Sequence, residues 1–119
     1  MKPDAQLREL LKGNTPTLIL SVLCEGPLHG YGIARALEQR SEGTLGLGEG
    51  SLYPALRALE RDGLIEGAWE GETASRARKV YTITAGGRAE LERRRRSWDD
   101  FVQSINSVLR RSLDEPQPI

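Results

Sequence analysis

The sequence predicts a mainly helical α+β domain that carries one β-hairpin and ends in a long helix. Three observations predict it. Two helix-forming blocks flank a glycine-rich turn: the first opens Gly26-Pro27-Leu28-His29-Gly30-Tyr31-Gly32-Ile33, and the second begins Gly50-Ser51-Leu52-Tyr53-Pro54-Ala55-Leu56-Arg57. A short polar segment follows and closes on Ser75-Arg76-Ala77-Arg78-Lys79-Val80-Tyr81. The C-terminal stretch then repeats apolar side chains at seven-residue spacing. Helix, turn, helix and basic hairpin, in that order, is the layout of a winged helix-turn-helix.

The elements follow in order. Residues 3–12 read as a short helix with Leu7, Leu10 and Leu11 on one side, stopped by Gly13. Thr15 is expected to cap the next helix, with Pro16 at its first position, where a missing N–H costs nothing. That helix runs to about Glu25 and is apolar on nearly every side, so it belongs in the core. Gly26-Pro27 ends it. Leu28 or His29 opens a helix reaching about Arg40, with Ile33, Ala34 and Leu37 inward and Arg35, Glu38 and Gln39 outward. Ser41 to Gly48 is a turn region with three glycines. The following helix spans about Glu49 to Asp62. Its Leu52, Leu56 and Leu59, spaced by four and three, share one buried face. Gly63 terminates it, and Leu64-Ile65 returns the chain to the core.

Residues 66–83 form the hairpin. Trp69 lies in its first strand, Tyr81 and Ile83 alternate inward in its second, and the tip from Gly71 to Arg76 is small and polar. Thr84 caps a final helix that starts on the poor formers Gly86-Gly87 and continues to about Leu113. The chain thus divides into a winged helix-turn-helix over 1–83, a C-terminal helix over 84–113, and a frayed, disordered tail over 114–119.

Bulk properties narrow the function. A chain of 119 residues suits one domain and one core. Apolar residues make up 38% and charged residues 29%, which indicates a globular chain. Lys+Arg and Asp+Glu are 17 each. Indiscriminate nucleic-acid binding runs on excess positive charge, so any DNA affinity here must come from charge placement. Cys24 is the sole cysteine and sits in an apolar run, where it reads as a small buried hydrophobe rather than a redox sensor. No apolar stretch follows the first residues as a signal peptide requires, and none approaches the roughly 18 residues of a membrane span. A cytoplasmic protein with no membrane association and no cofactor is expected.

Enzymatic chemistry is not expected. The sole His, His29, stands beside glycines at a helix start and reads as a cap or packing residue. No Cys/His pair, acidic metal cluster or phosphate-cradling loop occurs. Asp99 and Asp100 are neighbours on a helix and point to different sides.

DNA recognition fits better. A helix enters the major groove while a second helix behind it sets its angle. In the 49–62 helix, Gly50 and Ser51 are small enough to let backbone N–H groups approach a phosphate. The Ser51 and Tyr53 hydroxyls can bond a phosphate or a base edge. Arg57, one turn beyond Tyr53, can reach a guanine or a phosphate. Pro54 removes one helix donor and bends the first turn. Arg76, Arg78 and Lys79 place three cations near the hairpin tip, where a wing meets phosphates or a narrow minor groove. Glu66, Glu70 and Glu72 leave the hairpin neutral as a whole.

These blocks resemble the PadR family of winged-helix transcriptional regulators. The resemblance rests on Gly26-Pro27-Leu28-His29-Gly30-Tyr31, Ser51-Leu52-Tyr53-Pro54-Ala55-Leu56, Leu59-Glu60-Arg61-Asp62-Gly63-Leu64-Ile65, Trp69, and Arg78-Lys79-Val80-Tyr81-Thr82-Ile83-Thr84. It covers about residues 10–90, and the length is similar to the short subfamily with a single C-terminal helix. It implies a dimeric repressor of nearby genes, often for detoxification or efflux. It also implies DNA-facing positions at Ser51, Tyr53, Pro54, Arg57, Arg76, Arg78 and Lys79. The chain departs from the family pattern at the wing tip, where Ser75 and Ala77 flank Arg76, at Val80, and at Gly48.

In the last helix, Leu91, Trp98 and Ile105 recur every seven residues. Phe101 and Val108 repeat at the three-residue offset, and Val102 and Leu109 at the four-residue offset. This coiled-coil-like seam would be wet in a monomer. A homodimer through residues 88–113 is therefore expected, with Leu7, Leu10 and Leu11 packing across it from the partner. Arg93-Arg94-Arg95-Arg96 reads as a solvated face partly balanced by Glu90, Glu92, Asp99 and Asp100. Trp98 admits two readings: an apolar interface plug or, by the resemblance, the wall of a site for a small aromatic effector, with Phe101 beside it. The expected partners are a second copy of the chain and double-stranded DNA bearing a pseudo-palindromic operator. The rival is a protein-interaction adaptor without specific DNA binding, which zero net charge suits.

Overall fold

The computed structural model describes residues 9–11 and 13–114, with side chains through Arg111. Of the expected N-terminal helix only 9–11 are described, and they are helical. Leu7 and the tail past Asp114 lie outside the described residues.

Helix α1 (Thr15–Leu23) begins one residue earlier than its capping pattern suggests. Asn14, not Thr15, holds the N-cap position, and its side-chain amide instead donates to the Leu10 carbonyl at 2.9 Å. Pro16 still falls in the first turn, where its missing N–H has no partner to lose. Ile19, Leu20, Val22 and Leu23 are all buried, so α1 is the central helix of the core.

Strand β1 (Leu28–His29) leads into α2 (Gly30–Arg40). His29 caps α2: its Nδ1 accepts the Gly32 N–H at 2.9 Å. Ile33 and Leu37 face inward. The helix closes with N–H of Glu42 on the Gln39 carbonyl (3.1 Å) and N–H of Gly43 on the Glu38 carbonyl (2.8 Å). Helix α3 (Glu49–Arg61) ends the same way, with Gly63 N–H on the Glu60 carbonyl and Leu64 N–H on the Leu59 carbonyl. Its turning residue Gly63 has φ 75°, as the left-handed cap requires. Leu52, Leu56 and Leu59 are buried as their spacing demands.

The hairpin pairs β2 (Ile65–Glu70) with β3 (Arg78–Ile83), in register from Ile65 opposite Ile83 to Glu70 opposite Arg78. β1 adds a third strand on the far side of β3, with Leu28 opposite Tyr81 and His29 opposite Val80. The sequence offered no sign of this strand, because two residues carry no period.

Helix α4 (Ala85–Asp114) is capped by Thr84, whose Oγ1 accepts the Gly87 N–H at 3.0 Å and donates to the Gly63 carbonyl at 2.8 Å. Its 30 residues make a rod of about 45 Å, much of the protein's 72 Å long axis. Its first turns belong to the domain. Gly87 is buried, and a Cβ there would run into the Leu64 carbonyl oxygen and stand 2.7 Å from Ile83 Cγ1. Leu91 requires a correction: it is 2% exposed, within the core that contains Ile19 and Leu20, and is not part of the exposed apolar row of α4 in which the sequence placed it. Two arginines fasten α4 to α1. Arg88 donates to the Cys24 carbonyl at 3.4 Å, with Cys24 Sγ 3.7 Å from its Nη1, and Arg94 reaches Thr17 Oγ1 at 3.5 Å. Cys24 itself is half-buried against the core. Among the described residues no polar or charged side chain is buried.

Glu90 accepts from Arg93 at 2.8 and 2.7 Å and from Arg94 at 2.8 Å. These hydrogen bonds, Arg93's first, hold its carboxyl down at about 2. A depressed carboxyl stabilises the fold fully above its unfolded value, about 4.3. That contribution is lost as pH falls from there through about 2. Glu90→Gln should therefore show a flatter stability–pH curve than the parent over this window in chemical denaturation. Parallel curves would show that the arginines do not hold the carboxylate.

Candidate nucleic-acid interface

Once Leu52, Leu56 and Leu59 are buried, helical geometry dictates what α3 presents to solvent. Gly50, Pro54, Arg57 and Arg61 form the outermost row, and all four are exposed. Ser51 lies on one flank, exposed in the first turn. Tyr53 and Glu60 lie on the other flank and turn toward the body of the protein. Pro54 has no N–H to give the Gly50 carbonyl, so that carbonyl lacks its usual helical partner.

Tyr53 is 39% exposed, because its ring lies over the start of α2. A Cβ at Gly30 would stand 3.0 Å from the Tyr53 hydroxyl and 3.3 Å from two of its ring carbons. The tyrosine thus also docks α3 onto α2, a role sequence reading missed. Two aromatic or cationic side chains extend the solvent face of α2. Tyr31 is exposed, and the Arg35 guanidinium sits 5.8 Å from its ring centroid.

The wing cations separate by position. Arg76 is exposed in the loop, where its N–H closes a turn onto the Thr73 carbonyl at 3.0 Å. Arg78 is exposed at the start of β3, opposite Glu70. Lys79 departs from the expectation of a free wing cation. It shares the inward face with Tyr81 and Ile83, and its Nζ donates to Glu60 Oε1 of α3 at 2.9 Å. The same nitrogen lies 5.6 Å from the Tyr81 ring centroid. The bond to Glu60 raises the Lys79 pKa above its ordinary value, and burial raises that of the Tyr81 hydroxyl.

Along α4 the apolar row past Leu91 is open to solvent: Trp98 (49% exposed), Phe101, Ile105, Val108 and Leu109, with Val102 half-buried. The Trp98 and Phe101 rings lie in a tilted contact, 5.8 Å between centroids with 42° between their planes. A groove of about 1100 Å³ runs between this stretch and the start of α1, walled by Leu10, Leu11, Leu18, Leu91, Trp98 and Phe101. Among the described residues no helix is long and apolar enough to cross a membrane.

A family model described as the transcriptional regulator PadR-like family matches residues 19–93. The chain belongs to that family. The matched span holds every buried apolar residue of the core, from Ile19 to Leu91, which ties the start of α4 to the PadR fold. This is a family of transcriptional regulators, not of enzymes. A transcriptional regulator of Mycobacterium tuberculosis is 29% identical over 99 residues, covering 83% of this chain and 89% of its own. A transcriptional regulator from Clostridium thermocellum superposes with a TM-score of 0.78 at 29% identity, over 83% of this chain and 96% of that one. A PadR family transcription regulator from Clostridium difficile gives 0.69 at 30% identity, over 82% and 99%. The likeness to these structures supports the helical fold with its small antiparallel sheet and long final helix.

Proposed function

We propose that this PadR-family chain acts as a homodimer that binds a pseudo-palindromic operator through α3 and the wing. The observation that carries the DNA reading is the exposed row on α3 ending in Arg57 and Arg61, beside a hairpin that offers Arg76 and Arg78. Ser51 and Tyr53 stand at the α3 end that enters the groove first. The homodimer rests on the exposed row from Trp98 to Leu109, an apolar surface that a monomer would leave wet. Two-fold symmetry would then place the recognition helices about 34–36 Å apart, in successive major grooves. Repression of nearby detoxification, efflux or stress genes follows from the family resemblance, and cytoplasmic location follows from that role. Release by a flat aromatic ligand is supported by the exposed, tilted pair of Trp98 and Phe101 lining the groove.

Zero net charge favours the second reading, a winged-helix adaptor for protein partners. A gel shift with DNA upstream of the protein's own gene, at two salt concentrations and with excess random competitor, separates the two. The operator reading expects a competitor-resistant complex that weakens with salt. A folded dimer that gives no specific shift with any upstream fragment points first to a distant operator and second to the adaptor.

A further inference from the structure

The inward position of Lys79 has a consequence for how the wing is aimed. Glu60 sits on the flank of α3 and Lys79 on the inner face of β3. Their side chains meet at 2.9 Å with only 32% and 30% of their surface open to water. The lysine reaches Glu60 by crossing the sheet over Gly67, which lies on the neighbouring strand opposite Tyr81. A Cβ at Gly67 would collide with Lys79 Cε and stand 3.3 Å from its Cδ and 3.1 Å from Glu60 Oε2. Gly67 is thus the gap the lysine stem passes through. The Tyr81 ring supports the ammonium 5.6 Å from its centroid. Backbone gap, aromatic support and carboxylate together hold one side chain in one place.

We infer that Lys79 is a positioning residue: with Glu60 and Gly67 it forms a strut that fixes the pitch of the wing against the recognition helix. This rests on the proposed DNA reading. The strut contributes to operator binding by placing Arg76 and Arg78, not by touching a phosphate itself.

The two roles for Lys79 make opposite predictions for its partner. If Lys79 were a phosphate contact, Glu60→Gln would free the lysine and remove a negative charge, so binding would tighten. A strut predicts that Glu60→Gln and Lys79→Met both weaken operator binding, by about three- to fivefold, the scale of a half-exposed ion pair. Lys79→Met should leave the slope of log affinity against log salt unchanged, whereas loss of a phosphate contact lowers it by about one. The exchanged pair Glu60→Lys with Lys79→Glu should recover most of the affinity. Amide hydrogen exchange over residues 71–78 of the free protein reads the strut without DNA, and should quicken in both single variants.

Tighter binding by Glu60→Gln, or a reduced salt slope in Lys79→Met, overturns the inference. So do unchanged exchange and affinity in both single variants. If the parent forms no specific DNA complex, the DNA reading falls and the aiming role with it. Faster exchange in the variants would then still support the strut as a feature of the free protein.

Discussion

Gly87→Ala is expected to destabilise the fold by about 3 kcal/mol or more, while Gly86→Ala beside it should be neutral or stabilising by about 0.4–1 kcal/mol. Both glycines lie in the first turn of α4, so helix propensity alone predicts two small gains. Surroundings decide otherwise. A Cβ at Gly86 would meet Thr84 Oγ1 at 3.7 Å and the Gly63 carbonyl at 3.8 Å, which is ordinary contact. A Cβ at Gly87 would run into the Leu64 carbonyl, a backbone atom held by the α3 cap and by the Thr84 N–H. Neither side can yield without moving α4 off the core and reopening the contacts of Leu91. Denaturant midpoints at one fixed protein concentration measure both variants. Equal effects would show that α4 does not sit this close to the α3–β2 junction.

Arg57→Ala should weaken operator binding by about 10- to 100-fold, equivalent to about 1–3 kcal/mol. Its effect on stability should stay within about 0.5 kcal/mol. Arg57 is exposed on the solvent side of α3, opposite Leu52, Leu56 and Leu59, so truncation opens no cavity. The manner of the loss is informative. A base contact relaxes discrimination at one base pair, whereas a phosphate contact weakens all sequences alike and lowers the salt slope by about one. Unchanged affinity in folded Arg57→Ala and Tyr53→Ala variants alike would remove α3 as the reading helix. Tyr53 is a poorer probe of the same question, because its ring also packs over Gly30. A Tyr53→Ala loss would mix recognition with helix docking.

Periodicity made the helices legible. Leu52, Leu56 and Leu59 name the buried side of α3, and Gly63 its end, because spacing and backbone conformation are local properties. Alternation likewise placed Tyr81 and Ile83 inward. Carried one step further along the strand, it also puts Lys79 inward, so the signal against a free wing cation was present. What hid the role of Lys79 was its partner, since nothing local links Glu60 to a residue nineteen positions away. Leu91 misled for a related reason. A seven-residue repeat marks one side of a helix but does not say where along its length the domain stops and open surface begins. The Gly30–Tyr53 contact and strand β1 depend on tertiary neighbours alone. The residues proposed to face DNA, Ser51, Arg57, Arg76 and Arg78 among them, were legible as polar residue types, and the structure leaves these four exposed.

The core is closed by residues from both ends of the chain: α1 supplies Ile19 to Leu23, and Leu91 near the start of α4 completes it. During synthesis these parts do not emerge together. At about 5–20 residues per second, the 68 residues added after Leu23 up to and including Leu91 take the ribosome roughly 3–14 s. Throughout that interval Ile19, Leu20, Val22 and Leu23 of α1 have no finished core to enter. The β1–β3 pairing must wait as well, for Tyr81. Folding of the nascent chain is therefore late and abrupt rather than progressive. A product released before residue 91 would lack Leu91 from the core, and is expected to be less stable than the full chain.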